Sequence, residues 1–554
     1  MILILYPPSW ITLYPAQPLG IAMLASFLQA EGIPCRQVDL EILAHEVNRD
    51  FPNRRIPLDD MPAAGRLSDL LEDSGNRRGL HEDYTSCIEG LLALMDLTGV
   101  KGVVFSIIGE RQFVSASILA SYFRAQGLPV LAGGCYVTQN APWIARLGIF
   151  DMLFTGFDTA ALAAACRAIL SGDLRPQAEQ IAILCSRDCG PALLPKPQLS
   201  SPLAGSYRRA VKAMYKTGSE HLILQYLLDL GCPQRCSFCT RFHRKYEKSP
   251  IAKIVAEIEE LAGEQDSRLF SMTTNGINFD EKRALELCRA LASSTPGLAW
   301  HAYAVPDLAD PELVDCLAQS GCRILRFGME SASEKMLRMF RKKFTPAQAA
   351  RCFELAHRAG VWVQVSLMTG CPHENQEDIE ENCRFIEQCH PYIDSIRINP
   401  FFLQRDSDIR NRPEHYGIRL RPAHGSNLGF DEIGGLQWDD KVKATIDGIH
   451  RMYSVMREHG IGFHGISCHL LLCALHENGS KEKARDWLDR VHPFHTENIP
   501  PEWVQWQIYH GHELEKCPYG SSWESNCGLI YESSGERHLN SCSAKTPLCI
   551  AITR

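Results

Sequence analysis

The chain reads as an α/β protein: an N-terminal doubly wound parallel sheet, then a partial (β/α)6 barrel, then a mainly helical C-terminal region. Three observations predict this. Short apolar runs alternate with helix-period segments over residues 1–175. Pro191, Pro195, Pro197, Pro202 and Gly205 then interrupt the rhythm and mark a linker. A second alternation of strand and helix signals follows, from 222 to 402. The expected domains are therefore 1–175, a linker at 176–214, a barrel at 215–404 and a capping region at 405–554.

Each element has its own signal. Ile2–Tyr6, Cys35–Leu40, Gly102–Ile108, Pro129–Ala132 and Asp151–Phe154 are short apolar runs of strand type, five in all. Leu19–Gln29, Tyr84–Leu97, Phe113–Gln126, Ala141–Leu147 and Ala160–Leu170 carry helical spacing. Residues 41–78 are polar and read as an insertion or a loose loop. In the barrel the expected strands are 222–230, 268–273, 299–304, 323–328, 361–368 and 393–398, with helices such as Ile251–Ala262 and Pro346–Ala359 between them. Beyond 405, Lys441–His459 and Lys481–Val491 read as helices.

Composition narrows the partners. A length of 554 residues exceeds what one core sustains, roughly 250–300 residues. A net charge of −8 gives no reason to expect a nucleic-acid partner. No apolar stretch reaches the roughly 18 residues of a spanning helix, so no membrane partner is expected. Met1–Tyr6 has neither a basic lead nor a cleavage site and reads as a strand. Twenty-two cysteines in a long chain without an export signal imply reduced thiols, some binding metal, and a cytoplasmic location.

The most informative run is Cys232-Pro-Gln-Arg-Cys236-Ser-Phe-Cys239, spaced C-x3-C-x2-C directly after an apolar strand signal. Thiolates are the usual ligands of iron–sulfur clusters, and four complete a cubane. Three leave one iron open to a substrate or cosubstrate, as catalytic metal sites do. A zinc site or three unrelated thiols are the alternatives, and His243 lies close enough to keep zinc open.

This spacing resembles the radical SAM signature. The resemblance implies a [4Fe-4S] cluster on Cys232, Cys236 and Cys239, with S-adenosyl-L-methionine (SAM) on the open iron and Phe238 near its adenine. Ser271–Asn278 would end the second barrel strand, where the family holds the SAM amino group. The usual acids are absent here, which leaves Asn275 for that role, or a plain Asn-Gly turn. Arg326–Ser331 resembles the family's G-x-E-S stretch and implies that Glu330 meets SAM, against a salt bridge to Arg326 or Lys335. Ser366–Glu374 resembles the G-x-P-x-E stretch, with Ser366 toward the ribose or carboxylate and Glu374 as a helix cap. Ile396–Pro400 ends the sixth strand, where backbone meets the adenine.

The order of small residues at N-terminal strand ends, Ser106, Gly133, Gly134 and Gly156 among them, resembles the cobalamin-binding domain upstream of many radical SAM enzymes. Such residues let a backbone approach a ligand closely. The D-x-H-x-x-G sequence that ligates cobalt is missing, and Pro7–Pro18 contains no histidine. Cobalamin is therefore expected without that ligation, and a domain that binds nothing is the alternative.

Together these resemblances imply a cobalamin-dependent radical SAM methyltransferase acting on an unactivated carbon of a peptide or natural-product substrate, with a small molecule or peptide as its partner. An electron donor such as flavodoxin or ferredoxin is also implied. The alternatives are another cobalamin-dependent radical reaction (cyclisation, rearrangement or sp2-carbon methylation), a methylthiotransferase, or a non-catalytic cobalamin or redox sensor. No catalytic side chain is singled out. Cys517, Cys527, Cys542 and Cys549 raise a second metal site, but their spacing is long and contains no C-x2-C. The histidines at 464, 469, 492, 495, 510 and 512 are scattered and read as ordinary core or surface groups. Trp503, Trp506 and Tyr509 read as packing.

Overall fold

The computed structural model describes residues 1–8, 16, 18–44, 90–156, 159–173, 182–185, 196–240, 245–404, 407–421, 429–461 and 467–491. The chain divides into two compact units, one built on Met1–Met214 and one beginning at Tyr215. The insertion at 41–78, most of the Pro7–Pro18 loop and everything beyond Val491 lie largely or wholly outside the described residues. So do Cys517, Cys527, Cys542, Cys549 and the Trp503–Tyr509 segment.

The first unit runs β1 (Ile2–Tyr6), α1 (Leu19–Ala30), β2 (Cys35–Asp39), β3 (Gly102–Ser106), α2 (Glu110–Ala125), β4 (Val130–Gly133), α3 (Cys135–Arg146), β5 (Met152–Thr155), α4 (Thr159–Ser171), β6 (Ala182–Cys185) and α5 (Ser201–Tyr215). Its six strands form one sheet in the order β2-β1-β3-β4-β5-β6, and all are parallel. Both faces are buried, so the strands read as continuous apolar runs. Leu3, Leu5, Val103, Phe105 and Ala132 pack on one side with Phe113 and Phe123 of α2 and Val137 and Ile144 of α3. Ile2, Ile4, Val104 and Leu131 pack on the other with Ile21 and Leu28 of α1 and Leu162 and Ile169 of α4. Strand order reverses at β1 and β3, the place where open α/β sheets bind ligands.

Two elements fall inside the expected linker. Ala182–Cys185 is a sixth strand paired with β5, and Ser201–Tyr215 is a helix. A short edge strand among polar and proline residues carries too little periodicity to show in sequence. Helix α3 starts at Cys135, well before the expected Ala141.

The second unit runs β7 (Ile223–Leu227), β8 (Asp229–Leu230), β9 (Glu247–Lys248), α6 (Ile251–Glu264), β10 (Leu269–Thr273), α7 (Glu281–Ser294), β11 (Ala299–Ala304), α8 (Pro311–Gln319), β12 (Cys322–Glu330), α9 (Glu334–Phe340), α10 (Pro346–Arg358), β13 (Trp362–Thr369), α11 (Gln376–Cys389) and β14 (Ser395–Pro400). Six parallel strands in the order β7-β10-β11-β12-β13-β14 make the partial barrel. Helix starts follow local chemistry: Asp280, Asp310 and Ser333 cap α7, α8 and α9, and Thr345 and Asn375 form capping boxes on α10 and α11. After the barrel come α12 (Asp408–Asn411), the antiparallel pair β15 (Ile418–Leu420) and β16 (Phe430–Glu432), and α13 (Trp438–Glu458), α14 (Cys468–Asn478) and α15 (Lys481–Val491). Helix α14 packs on β10, β11 and β12. No helix among the described residues is long and apolar enough to cross a membrane.

Candidate active site

The cysteine loop leaves β7 at the C-terminal end of the barrel's first strand, where barrel folds put their chemistry. Cys232, Cys236 and Cys239 are half-buried, and none is in a disulfide. They sit close enough to act on one another electrically. Burial pushes the Cys232 thiol up to about 11, and the Cys236 and Cys239 sulfurs push the same way. Burial also raises Cys236, with Cys239 and Glu330 adding to it and Lys342 opposing. Three grouped sulfur donors beside a buried cation fit an anionic iron–sulfur cluster held at three corners.

The loop is pinned by main-chain bonds. Ser237 donates its amide to Phe340 O at 3.2 Å and its hydroxyl to Met339 O at 2.7 Å, and it accepts from the Ile409 amide at 3.1 Å. Phe238 meets Phe340 edge to face, with centroids 5.3 Å apart, and the Lys342 ammonium sits 5.7 Å from the Phe238 ring centre.

Lys342 is the organising charge that the sequence did not reveal. It donates to Gly328 O at 2.8 Å and pairs with Glu330 at 3.3 Å. Burial alone would pull its pKa down; Glu330 and the Cys236 and Cys239 sulfurs outweigh that and hold it above the ordinary value. Glu330 thus pairs with neither Arg326 nor Lys335, since Lys335 is taken by Asp378. Glu330 has a left-handed backbone, φ +68°, where the β12–β13 register shifts. Such an L-residue conformation carries strain and turns up at functional sites.

The other strand ends are placed as follows. Asn275 donates its carboxamide NH2 to Gly231 O at 2.7 Å, tying the end of β10 to the residue before Cys232. That leaves its carboxamide oxygen for an incoming donor. Ser366 lies half-buried in β13, in register with Gly328 and Arg397. Glu374 does not cap α11: Asn375 does, and Glu374 turns inward to accept from Thr369 Oγ1 at 2.8 Å and from the Gly370 amide. The capping position prefers a short side chain that can curl back on its own turn.

Asp229, also missed in sequence, lies three residues before Cys232. Burial pushes it up to about 6 against hydrogen bonds from Thr274 and Tyr246. Its Oδ1 is buried and has no hydrogen-bond partner among the described residues. An acid inside the otherwise apolar run 222–230 was the available signal.

In the first unit, Ser106, Gly133, Gly134 and Gly156 end or directly follow β3, β4 and β5, at one edge of the sheet. Ser106 is buried and in register with Gly133. Gly134, at φ +109°, brings its backbone so near Ile107 that a Cβ would lie 2.2 Å from the Ile107 carbonyl oxygen. Gly156 donates its amide to Thr138 Oγ1 at 3.1 Å. At Gly133 an added Cβ would meet nothing nearer than 3.5 Å among the described residues, so their packing alone does not require glycine there. A low, glycine-lined edge of this kind fits the approach of a broad, flat cofactor such as cobalamin.

The cysteine loop lies within residues 228–386, which match the family model for the Radical SAM superfamily. Among solved structures, the radical S-adenosylmethionine methyltransferase TsrM from Kitasatospora setae, with cobalamin and a [4Fe-4S] cluster bound, is similar at TM-score 0.61 and 16% identity, covering 89% of this chain and 99% of that one. The cobalamin-dependent S-adenosylmethionine radical enzyme OxsB, with aqua-cobalamin bound, is similar at TM-score 0.56 and 12% identity, covering 92% and 79%. These likenesses establish the α/β fold. An uncharacterised methyltransferase of Pyrococcus horikoshii is 23% identical over 161 residues, 28% of this chain and 35% of that protein. The ribosomal protein uS12 methylthiotransferase RimO of Parabacteroides distasonis is 28% identical over 171 residues, 28% of this chain and 39% of that protein. The chain thus spans well under half the length of these two relatives.

Proposed function

We propose that this chain is a cobalamin-dependent radical SAM methyltransferase acting on carbon in a small-molecule or peptide substrate. Cys232, Cys236 and Cys239 would hold a [4Fe-4S] cluster; Ser106, Gly133, Gly134 and Gly156 would line the cobalamin edge. The observation that carries the reading is the trio of mutually interacting thiols beside Lys342, in a segment that matches the Radical SAM superfamily. The likeness to TsrM and OxsB, both described with cobalamin bound, supports the second cofactor.

When bound, the three cofactors supply the radical and methyl chemistry, and the protein supplies placement. Lys342 offsets cluster charge. Asn275 and the Oδ1 of Asp229 offer acceptors for the SAM ammonium. Phe238, Glu330 and Ser366 are assigned to the adenine, the ribose and the carboxylate side of SAM. The electron donor is of the flavodoxin or ferredoxin type.

Methyl transfer to an sp2 carbon is a second reading, favoured by one observation: a similar TsrM structure is described with tryptophan substrate and a SAM analogue bound. Tryptophan offers sp2 ring carbons. One assay separates the readings. The protein is reconstituted anaerobically with iron, sulfide and cobalamin, then given SAM, reductant and a panel of aromatic and aliphatic substrates. Radical methylation forms 5′-deoxyadenosine and S-adenosylhomocysteine in equal amounts, since one SAM is cleaved and another donates methyl. Polar transfer forms S-adenosylhomocysteine alone. A Cys232→Ala/Cys236→Ala/Cys239→Ala variant should lose both products together with the brown chromophore. Full iron occupancy in that variant would overturn the ligand assignment.

A further inference from the structure

We propose that His301, Cys468 and His469 form a second metal site, one that takes a zinc-class divalent cation and leaves a fourth coordination position open. Nothing in the cysteine-loop chemistry uses these residues. His301 lies within β11, in register with Ser271 of β10 and Ile324 of β12. Cys468 and His469 open α14, the helix packed on those strands. One nitrogen or sulfur from each residue lies within 4.8 Å of the others. Zinc–sulfur and zinc–nitrogen bonds of about 2.3 and 2.0–2.1 Å put tetrahedral ligands roughly 3.3–3.6 Å apart. Small side-chain adjustments therefore close the site.

A second, independent observation points to a missing ligand. His301 is 3% exposed, and neither of its ring nitrogens has a hydrogen-bond partner among the described residues. Buried polar groups are nearly always satisfied, and an exception calls for a reason such as an ion or water. The bland alternative, two imidazoles packed together with centroids 5.5 Å apart, leaves that imidazole stranded.

The surroundings suit a sulfur-containing site. Arg326 donates through Nη1 to the Cys468 sulfur at 3.6 Å and through Nε to Gln364 Oε1 at 3.0 Å, while stacking 4.2 Å from the Tyr303 ring centre. A guanidinium repels a bare dication, but here the sulfur stands between them. On binding, Cys468 releases its thiol proton to solvent, and the resulting thiolate joins metal and guanidinium. Outer-shell hydrogen bonds of this type hold first-shell ligands in place. Nitrogen and sulfur donors select zinc-class ions over calcium or magnesium. Three protein ligands leave a fourth position for water or a substrate heteroatom, the pattern of catalytic zinc.

The test is metal content, which does not depend on methyl transfer. The full chain with its cluster rebuilt anaerobically is incubated with zinc ion alone and desalted, and zinc and iron per chain are measured. One zinc per chain is expected. In Cys468→Ser and His301→Gln, zinc affinity should fall at least tenfold, with iron content and circular dichroism unchanged. Cobalt(II) in place of zinc should give a thiolate-to-cobalt charge-transfer band that Cys468→Ser abolishes. The Cys232→Ala/Cys236→Ala/Cys239→Ala variant should keep its zinc, which separates this site from the cluster loop. A wild-type chain that retains no zinc overturns the proposal. So does zinc retention in both single variants equal to that of the wild type, or a cobalt spectrum without the sulfur band.

Discussion

Asp39 ends β2, and its Oδ1 accepts from the backbone amides of Glu41 and Ile42 while its Oδ2 accepts from the Tyr207 hydroxyl. Burial outweighs these bonds and raises the carboxyl from 3.8 to about 6. The folded chain therefore keeps this proton at a pH where the unfolded chain has lost it. The stability it contributes is fully present below about pH 4 and is lost as pH rises through about 6, a change of about 3 kcal/mol. Asn at this position keeps the oxygen that accepts both amides and offers an NH2 to the tyrosine oxygen. Asp39→Asn should therefore match the wild type near pH 4 and exceed it by up to about 3 kcal/mol near pH 7 in denaturant titrations. A gain that appears only at the acid end would refute this. The same desolvation logic explains which site residues escaped notice in sequence. Cys232, Cys236 and Cys239 announce themselves by spacing. Lys342 and Asp229 matter because of what folding brings beside them, and His301 and His469 are 168 positions apart.

At the scale of elements, local chemistry was largely legible. The barrel strands fall where their apolar runs lie, and Pro311 and Pro346 mark helix starts because the first turn needs no proline N–H. What stayed hidden was the short edge strand Ala182–Cys185 and the helix Ser201–Tyr215, whose signals are diluted by neighbouring prolines and polar residues. The docking of α15 was hidden for another reason: it rests on charges paired across long sequence separations. Asp394 is 1% exposed at its side chain and accepts from Lys481 at 2.7 Å, Arg485 at 2.9 Å and the Val363 amide at 2.8 Å. Burial would raise this carboxyl, but His357 and Lys481 outweigh it and hold it below its ordinary value. Lys481→Met should cost about 2–3 kcal/mol, because Arg485 still answers the charge. Lys481→Met with Arg485→Met should cost more than the sum of the two single changes, since only the pair leaves the buried carboxylate to His357 and the Val363 amide alone. Urea unfolding of the four proteins measures this directly, and simple additivity would show that the two cations act independently.

Taken whole, the molecule repeats one device in two units: parallel strands bury their middles and gather their candidate site residues at their C-terminal ends. In the second unit that end carries the cysteine loop. In the first it carries Ser106, Gly133, Gly134 and Gly156, and the two adjacent glycines differ in a way that can be used. Gly134 is required by the fold, since a side chain would collide with the Ile107 backbone. Gly133 is not, since a methyl there would stand 3.5 Å from the nearest heavy atom of the described residues. If cobalamin rests on this edge, Gly133→Ala and Gly133→Val should lower cobalamin retention in graded fashion, while the melting temperature of the cofactor-free protein stays near wild type. Gly134→Ala should instead lower the melting temperature itself, by strain at a positive φ. The bound cobalamin should also show a spectrum without histidine ligation, because Pro7–Pro18 contains no histidine and the chain has no D-x-H-x-x-G. Equal retention in wild type and both Gly133 variants would move the cofactor off this edge. A histidine-ligated spectrum would require a donor from some other part of the chain.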